Sequence, residues 1–263
     1  MLLKLGTLPT DTVARLRAAR RTGHMNPTRT TRTMPTPTRW TTLRQILAGG
    51  LQVLFAVIVS PLLRHRYNRC GATDDELARP MPGDELVKDP KLGYTRAITI
   101  DAPPEQVWPW LAQIGQGRGG FYSFDSLENL VGCDIHSANR ILPEHQHLSV
   151  GDIVRSGQDH HICWMVVDLD PFHHLVLQGA GTPAAVEVPD VVDEVPSRGY
   201  AASTWQWVLE PGADGRRTRL VVRQRCTYSP RQFLLWRIVE PLNFVMEREM
   251  LRGLKSRAER AAA

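Results

Sequence analysis

Ile98-Thr-Ile-Asp-Ala-Pro-Pro-Glu-Gln-Val-Trp-Pro-Trp-Leu-Ala-Gln-Ile-Gly115 is the stretch whose reading decides the fold. It starts as a strand: Thr95–Ile100 is rich in β-branched residues, with Ala97 and Thr99 alternating against Ile98 and Ile100. Then the period changes. Asp101 can cap a helix, and Pro103 or Pro104 suits its first turn, where a missing N–H costs nothing. Glu105 adds negative charge at the positive end of the helix dipole. Val107, Trp108, Leu111 and Ile114 recur at helical spacing, and Gly115 stops the run. Pro109 removes one helical hydrogen bond and predicts a bend.

A strand, the phrase I-D-A-P-P-E-x-V-W and a helix resemble the opening of the START-like helix-grip superfamily (SRPBCC), the group of polyketide cyclase/dehydrase and lipid-transport domains. The resemblance runs from about Thr95 to the end. It implies an α+β fold in which a curved antiparallel sheet surrounds a long C-terminal helix.

Charge is divided unevenly. Residues 1–69 hold 12 Lys+Arg against Asp11 alone, a surplus of 11; the whole chain is +5, so residues 70–263 total −6. The basic pI belongs to the N-terminal arm, which excludes a nucleic-acid-binding domain with a basic stripe on its own fold. Four cysteines stand far apart with no C-x-x-C pair, the pattern of reduced structural thiols. That pattern favours the cytoplasmic side.

The chain divides into four parts. Residues 1–42 form a Thr/Pro/Arg-rich arm with too little to bury, expected to be disordered apart from a short basic helix around Val13–Arg21. Met1, Met25 and Met34 are all candidate starts. Residues 43–66 contain the uncharged run Ile46–Leu63, flanked by Arg39 and Arg44 on one side and Arg64, Arg66 and Arg69 on the other. Eighteen residues span about 27 Å as a helix, which predicts a hydrophobic helix outside the domain, anchored in or across a membrane. Residues 67–94 are a linker with a capping-box pair, Thr73 and Glu76. Residues 95–263 are the helix-grip domain.

Gly115–Gly120 matches G-x-G-x-x-G, but a helix precedes it where a dinucleotide site needs a strand. The glycines are expected to reverse the chain, and no cofactor is implied. Tyr122–Gly132 reads as a second short helix, capped by Ser123 or Asp125, with Leu127, Leu130 and Val131 inward. Tyr122, Asp125, Glu128, Asp134, His136 and Arg140 crowd this region. Two readings stand: an Arg140–carboxylate network tying the helices to the sheet, or acid/base groups of an enzyme, for which Tyr122, Glu128, Asp134 and His136 are the catalytic candidates. Nine histidines include the adjacent pairs His160-His161 and His173-His174. Neighbours on a strand face opposite ways, so no metal site is expected.

Strands are expected at 152–156, 162–169, 174–178, 203–209 and 218–228, with a loop over 179–199 beside the cavity mouth and a hairpin turn at Pro211–Gly215. On the last strand Leu220, Val222, Gln224, Cys226 and Tyr228 share one face, and Arg219, Arg223 and Arg225 the other, which predicts one wet sheet face. Trp205 and Trp207 should look inward. A closing helical region is expected to break at Glu240-Pro241, after which Leu242–Ala263 forms a helix of about 33 Å with an apolar stripe that includes Met246 and lies beside Glu247.

The resemblance implies a membrane-tethered domain that binds a hydrophobic small molecule or lipid in an apolar cavity, with Tyr122, Asp125, Arg140, Trp164, Trp205, Trp207, Met246 and Glu247 as binding residues. Two alternatives are a cyclase/dehydrase-like enzyme and a partner-binding module with a filled core. An enzyme needs two titratable groups converging on the pocket. The sequence leaves ligand and oligomeric state open.

Overall fold

The computed structural model describes residues 39–157, 163–179, 202–228, 230 and 233–262. The basic arm with its short helix, His160-His161 and the loop over 180–199 lie outside the described residues.

Strands form at each place the alternation predicts: β1 (Leu92–Ile100), β2 (Ile153–Arg155), β3 (Cys163–Asp170), β4 (His174–Gly179), β5 (Ala202–Pro211) and β6 (Thr218–Thr227). They pair antiparallel in the order β1-β6-β5-β4-β3-β2, so the first strand lies beside the last. The helices are α1 (Arg39–Tyr67), α2 (Asp74–Ala78), α3 (Pro104–Ala112), α4 (Asp125–Leu130) and α5 (Phe233–Ala262). This is the α+β helix-grip arrangement of a curved antiparallel sheet and a long C-terminal helix. The inner face of the sheet (Val166, Leu175, Leu177, Trp207, Leu209, Leu220, Val222) packs on Val107 and Leu111 of α3 and Met250, Leu251 and Leu254 of α5. Each such side chain contributes about 1.5–3 kcal/mol on burial.

α5 does not break at Glu240-Pro241. Tertiary contacts hold it through the proline: the Glu240 carboxylate accepts from Arg64 Nε at 2.8 and 3.0 Å and from Asn68 Nδ2, and Phe244 stacks on Tyr67 with ring centroids 5.3 Å apart. α4 is shorter than its expected span, and Leu130 and Val131 point to solvent, 71% and 77% exposed.

The anchor expectation is overturned: among the described residues no helix is long and apolar enough to cross a membrane. The membrane partner assigned to residues 46–63 and the membrane-associated localisation fall with it. Gly49, Gly50, Gln52 and Ser60 dilute the apolar run, and the last turns of α1 are committed to the protein. Ser60 Oγ and Tyr67 Oη are hydrogen-bonded at 2.9 Å, and Arg64 pairs with Glu240.

Nor is the outer face of the sheet wet where the three arginines of β6 stand. Arg219 donates to both Glu76 oxygens at 2.7 and 2.9 Å. Arg223 donates to Asp84 at 2.7 Å, to Thr95 Oγ1 and to the carbonyls of Glu76, Leu77 and Arg79. Arg225 donates to the Val87 and Lys88 carbonyls. Together they strap residues 71–88 across the sheet, where Met81 packs on Ala97 and Val221. The capping box of Thr73 and Glu76 forms as expected.

Asn68 to Gly71, which lead into this segment, cover the free edge of β1, a liability if left open. Thr95 and Ala97 donate their amides to the Asn68 and Cys70 carbonyls at 2.9 and 3.1 Å. Gly71, at φ +76°, follows this edge so closely that a Cβ would collide with the Ala97 carbonyl oxygen. None of the four cysteines is in a disulfide.

Candidate functional site

Between the inner face of the sheet and α5 lies a cavity of about 200 Å³. Trp164 of β3 and Trp205 of β5 form its sheet wall, Met246 and Met250 its helix wall, and Phe121, Ser123, Glu128 and Ser156 close it from the α4 side. The volume sits below the range of about 300–1,000 Å³ that takes drug-sized ligands, so it suits a compact molecule.

One end of the cavity is polar, and its groups are bonded to one another apart from Arg96 Nη2, which is buried without a partner among the described residues. Tyr94 and Arg96 are two apart on β1, so both face inward. Asn243, Glu247 and Met250 share one face of α5 by the helical repeat. Glu247 Oε1 accepts from Tyr94 Oη at 3.1 Å and Trp205 Nε1 at 3.0 Å; Oε2 accepts from Arg96 Nη1 at 2.5 Å. Arg96 Nε donates to the Tyr67 carbonyl, and its guanidinium lies 3.6 Å from the centroid of the Tyr94 ring. Asn243 Nδ2 donates to Gln224 Oε1 at 2.8 Å. Burial, and then the Glu247 charge, hold the Tyr94 phenol well above its ordinary pKa, so it stays a donor.

The opposite end is different. Glu128 projects from α4, and its Oε2 is shut off from solvent with no hydrogen-bond partner. Loss of hydration, and secondarily the Asp125 carboxylate, push its pKa up to about 8. At neutral pH it is a protonated carboxyl, able to donate.

Of the residues singled out in the sequence, the structure brings Glu128, Trp164, Trp205, Met246 and Glu247 to this cavity. It places the others elsewhere. Tyr122 is buried at φ 58°, donating its hydroxyl to the Trp110 carbonyl at 2.9 Å, and burial raises its pKa. Asp125 accepts from the Ser137 amide and hydroxyl at 2.7 and 2.6 Å, so it fastens the 133–140 loop instead of capping α4. His136 is 78% exposed and bonded to Asp134 at 3.0 Å, facing away from the cavity. Arg140 is exposed, with no carboxylate partner among the described residues, so the Arg140–carboxylate network is absent there. Trp207 is fully buried beside Trp205, ring centroids 4.8 Å apart, in the core.

Sequence reasoning missed Tyr94, Arg96, Asn243 and the role of Gln224. A signal existed: Tyr94 and Arg96 share a strand face with Ile98 and Ile100, and a cation on an apolar stripe needs a buried partner.

Gly115 and Gly120 close on each other, each amide donating to the other's carbonyl at 3.0 Å, so these amides do not cradle a phosphate. Among the described residues no group of three His, Cys, Asp or Glu is placed to hold a metal.

No family model and no curated protein matches the sequence. Solved structures resemble it distantly. MLL2253 from Mesorhizobium loti is 17% identical over 63% of this chain and 97% of its own, with a TM-score of 0.35. A conserved protein from Geobacillus kaustophilus is 15% identical over 65% and 97%, TM-score 0.37. CalU16 from Micromonospora echinospora is 15% identical over 65% and 85%, TM-score 0.29. At these scores the likeness carries no argument for function, and the architecture stands on the sheet order and helix placement above.

Proposed function

We propose that the domain binds one small, mostly apolar molecule in the cavity between sheet and α5, oriented by a hydrogen bond from the protonated Glu128 carboxyl. The observation that carries this reading is the pairing of aromatic and methionine walls with a buried Glu128 oxygen that has no protein partner. A buried polar atom without a partner costs about 1–3 kcal/mol, and a ligand carbonyl or hydroxyl would relieve that cost. Trp164 and Trp205 pack on each other in a tilted contact, 5.4 Å between ring centroids, so the sheet wall of the cavity is aromatic.

Binding is favoured over catalysis because the second acid at the cavity is occupied. Three donors already hold Glu247, so it is not free to move protons. A cyclase-like reaction is the second reading, favoured by a Glu128 pKa close to working pH, as a general acid requires.

Native mass spectrometry of the full chain, purified from its own host, tests the proposal. A stoichiometric co-purifying apolar molecule, lost in a Trp164→Ala or Glu128→Leu variant but retained in Glu128→Gln, whose neutral amide still donates, is the expected result. A protein that comes up empty and gains no thermal stability from a panel of aromatic ketones and phenols overturns it. Turnover of a bound ketone that stops in Glu128→Gln would move the assignment to the enzyme.

A further inference from the structure

α1 and α5 leave between them a second depression of about 320 Å³, lined by different residues from the sheet–helix cavity. Phe55, Val59, Leu63 and Tyr67 follow one another at four-residue spacing along α1, and Phe244 and Val245 of α5 form the facing wall. Phe55 is 61% exposed, an unusual position for a side chain of that size.

Two cations stand at this apolar groove, Arg66 and Arg248. Three other arginines nearby are committed: Arg64 and Arg237 to Glu240, Arg69 to Asp74. Arg66 and Arg248 have neither a carboxylate nor a side-chain hydrogen-bond partner among the described residues. An apolar groove whose lining includes two guanidinium groups without a carboxylate partner among the described residues is complementary to an apolar molecule with an anionic head. We propose that this groove binds a single-chain alkyl carboxylate, its headgroup between Arg66 and Arg248 and its chain running along α1 toward Phe55. From Phe55 to Arg66 is about 16 Å at 1.5 Å per residue, the reach of a medium-length alkyl chain. Guanidinium takes carboxylate in a bidentate geometry, so the head supplies specificity and the chain supplies burial. A neutral alcohol keeps the chain contacts but loses the ion pair, and an ammonium head is repelled.

Calorimetric titration of the full chain, below micelle-forming concentrations, tests this with dodecanoate, 1-dodecanol and dodecyltrimethylammonium. Dodecanoate is expected to bind one per chain, at least tenfold tighter than either of the others. The Arg66→Gln/Arg248→Gln variant should lose that preference by tenfold or more, with an unchanged thermal midpoint, while Glu128→Leu leaves it intact. Three outcomes overturn the proposal. Equal affinity for all three heads removes the arginines from the site. Binding that responds to Glu128→Leu and not to the arginine changes puts the carboxylate in the sheet–helix cavity. Absence of dodecanoate binding, with self-association that Phe55→Asp abolishes, assigns the groove to a second copy of the chain.

Discussion

Arg96 and Glu247, 1% and 2% exposed, form an ion pair that ties the first strand of the sheet to the C-terminal helix. Two charges this deep are tolerated because each is hydrogen-bonded on more than one side: Arg96 also reaches the Tyr67 carbonyl, and Glu247 also takes Tyr94 and Trp205.

Removing one member leaves the other charged and buried. Glu247→Ala or Arg96→Met is therefore expected to lower stability by about 3–5 kcal/mol, whereas the double change Arg96→Met/Glu247→Leu costs much less than the sum. Urea unfolding midpoints of the three variants check this; additive losses would mean that the pair is not coupled.

Glu128 predicts a particular pH dependence. An unfolded chain releases this proton near 4.5, the folded protein only near 8. Between those values the folded state holds the extra proton, so stability falls as pH rises from 4.5 to 8 and is level beyond. The loss is on the order of 5 kcal/mol, since the two values lie three to four tenfold steps apart and each step corresponds to about 1.4 kcal/mol. Glu128→Gln should remove the slope and melt higher than the parent at pH 8.5. The same melting series, run with a bound carbonyl ligand, should show its stabilisation fading above pH 8.

The strap over the outer face has the opposite sign. The Arg219 side chain, and the Thr73 amide after it, hold the Glu76 pKa down at about 2 from 4.5. The stabilisation is fully present above pH 4.5 and is lost as pH falls through 2. Arg219→Ala should cost about 1–3 kcal/mol at pH 7 and less below pH 2, where only its bonds to the Gly71 carbonyl and the Thr99 hydroxyl remain. Hydrogen exchange on residues 71–88 should accelerate in that variant before exchange in β5 does.

Gly253 lies within α5, where a Gly→Ala change usually gains about 1 kcal/mol in helix propensity. Here a Cβ would collide with the Tyr122 carbonyl oxygen and crowd its Cβ. Gly253→Ala is expected to destabilise instead, by about 1–3 kcal/mol, through overpacking. A thermal midpoint above the parent's would contradict the close approach.

The strands were legible because alternation and turn residues are local signals, and each expected strand is present within a few residues. The break at Pro241 was read from an equally local signal and failed: what carries the helix past the proline is a carboxylate bonded to Arg64 and Asn68, about 170 residues away in the chain. The wet face failed for the same reason. Arg219, Arg223 and Arg225 alternate as solvent-facing residues do, and only the fold shows residues 71–88 lying over them. At the cavity, Glu128, Trp164, Trp205, Met246 and Glu247 came from a dense cluster and from apolar stripes. Tyr94 and Asn243 were missed because a polar residue within such a stripe acquires meaning only from its partner across the domain.

The placement of β1 beside β6 sets the order in which a ribosome can finish this protein. β1 and the strap both find their sheet partners in residues 218–227. That strand emerges roughly 120 residues after β1, on the order of ten seconds later at about 5–20 residues per second. Until then Leu92–Ile100 is a β-rich segment without its neighbour, and Glu247, which neutralises Arg96, arrives later still. Closure is consequently a late, non-local event, slow in the way that distant strand pairing is slow. During synthesis the unpaired first strand is the part of the nascent chain most in need of a chaperone.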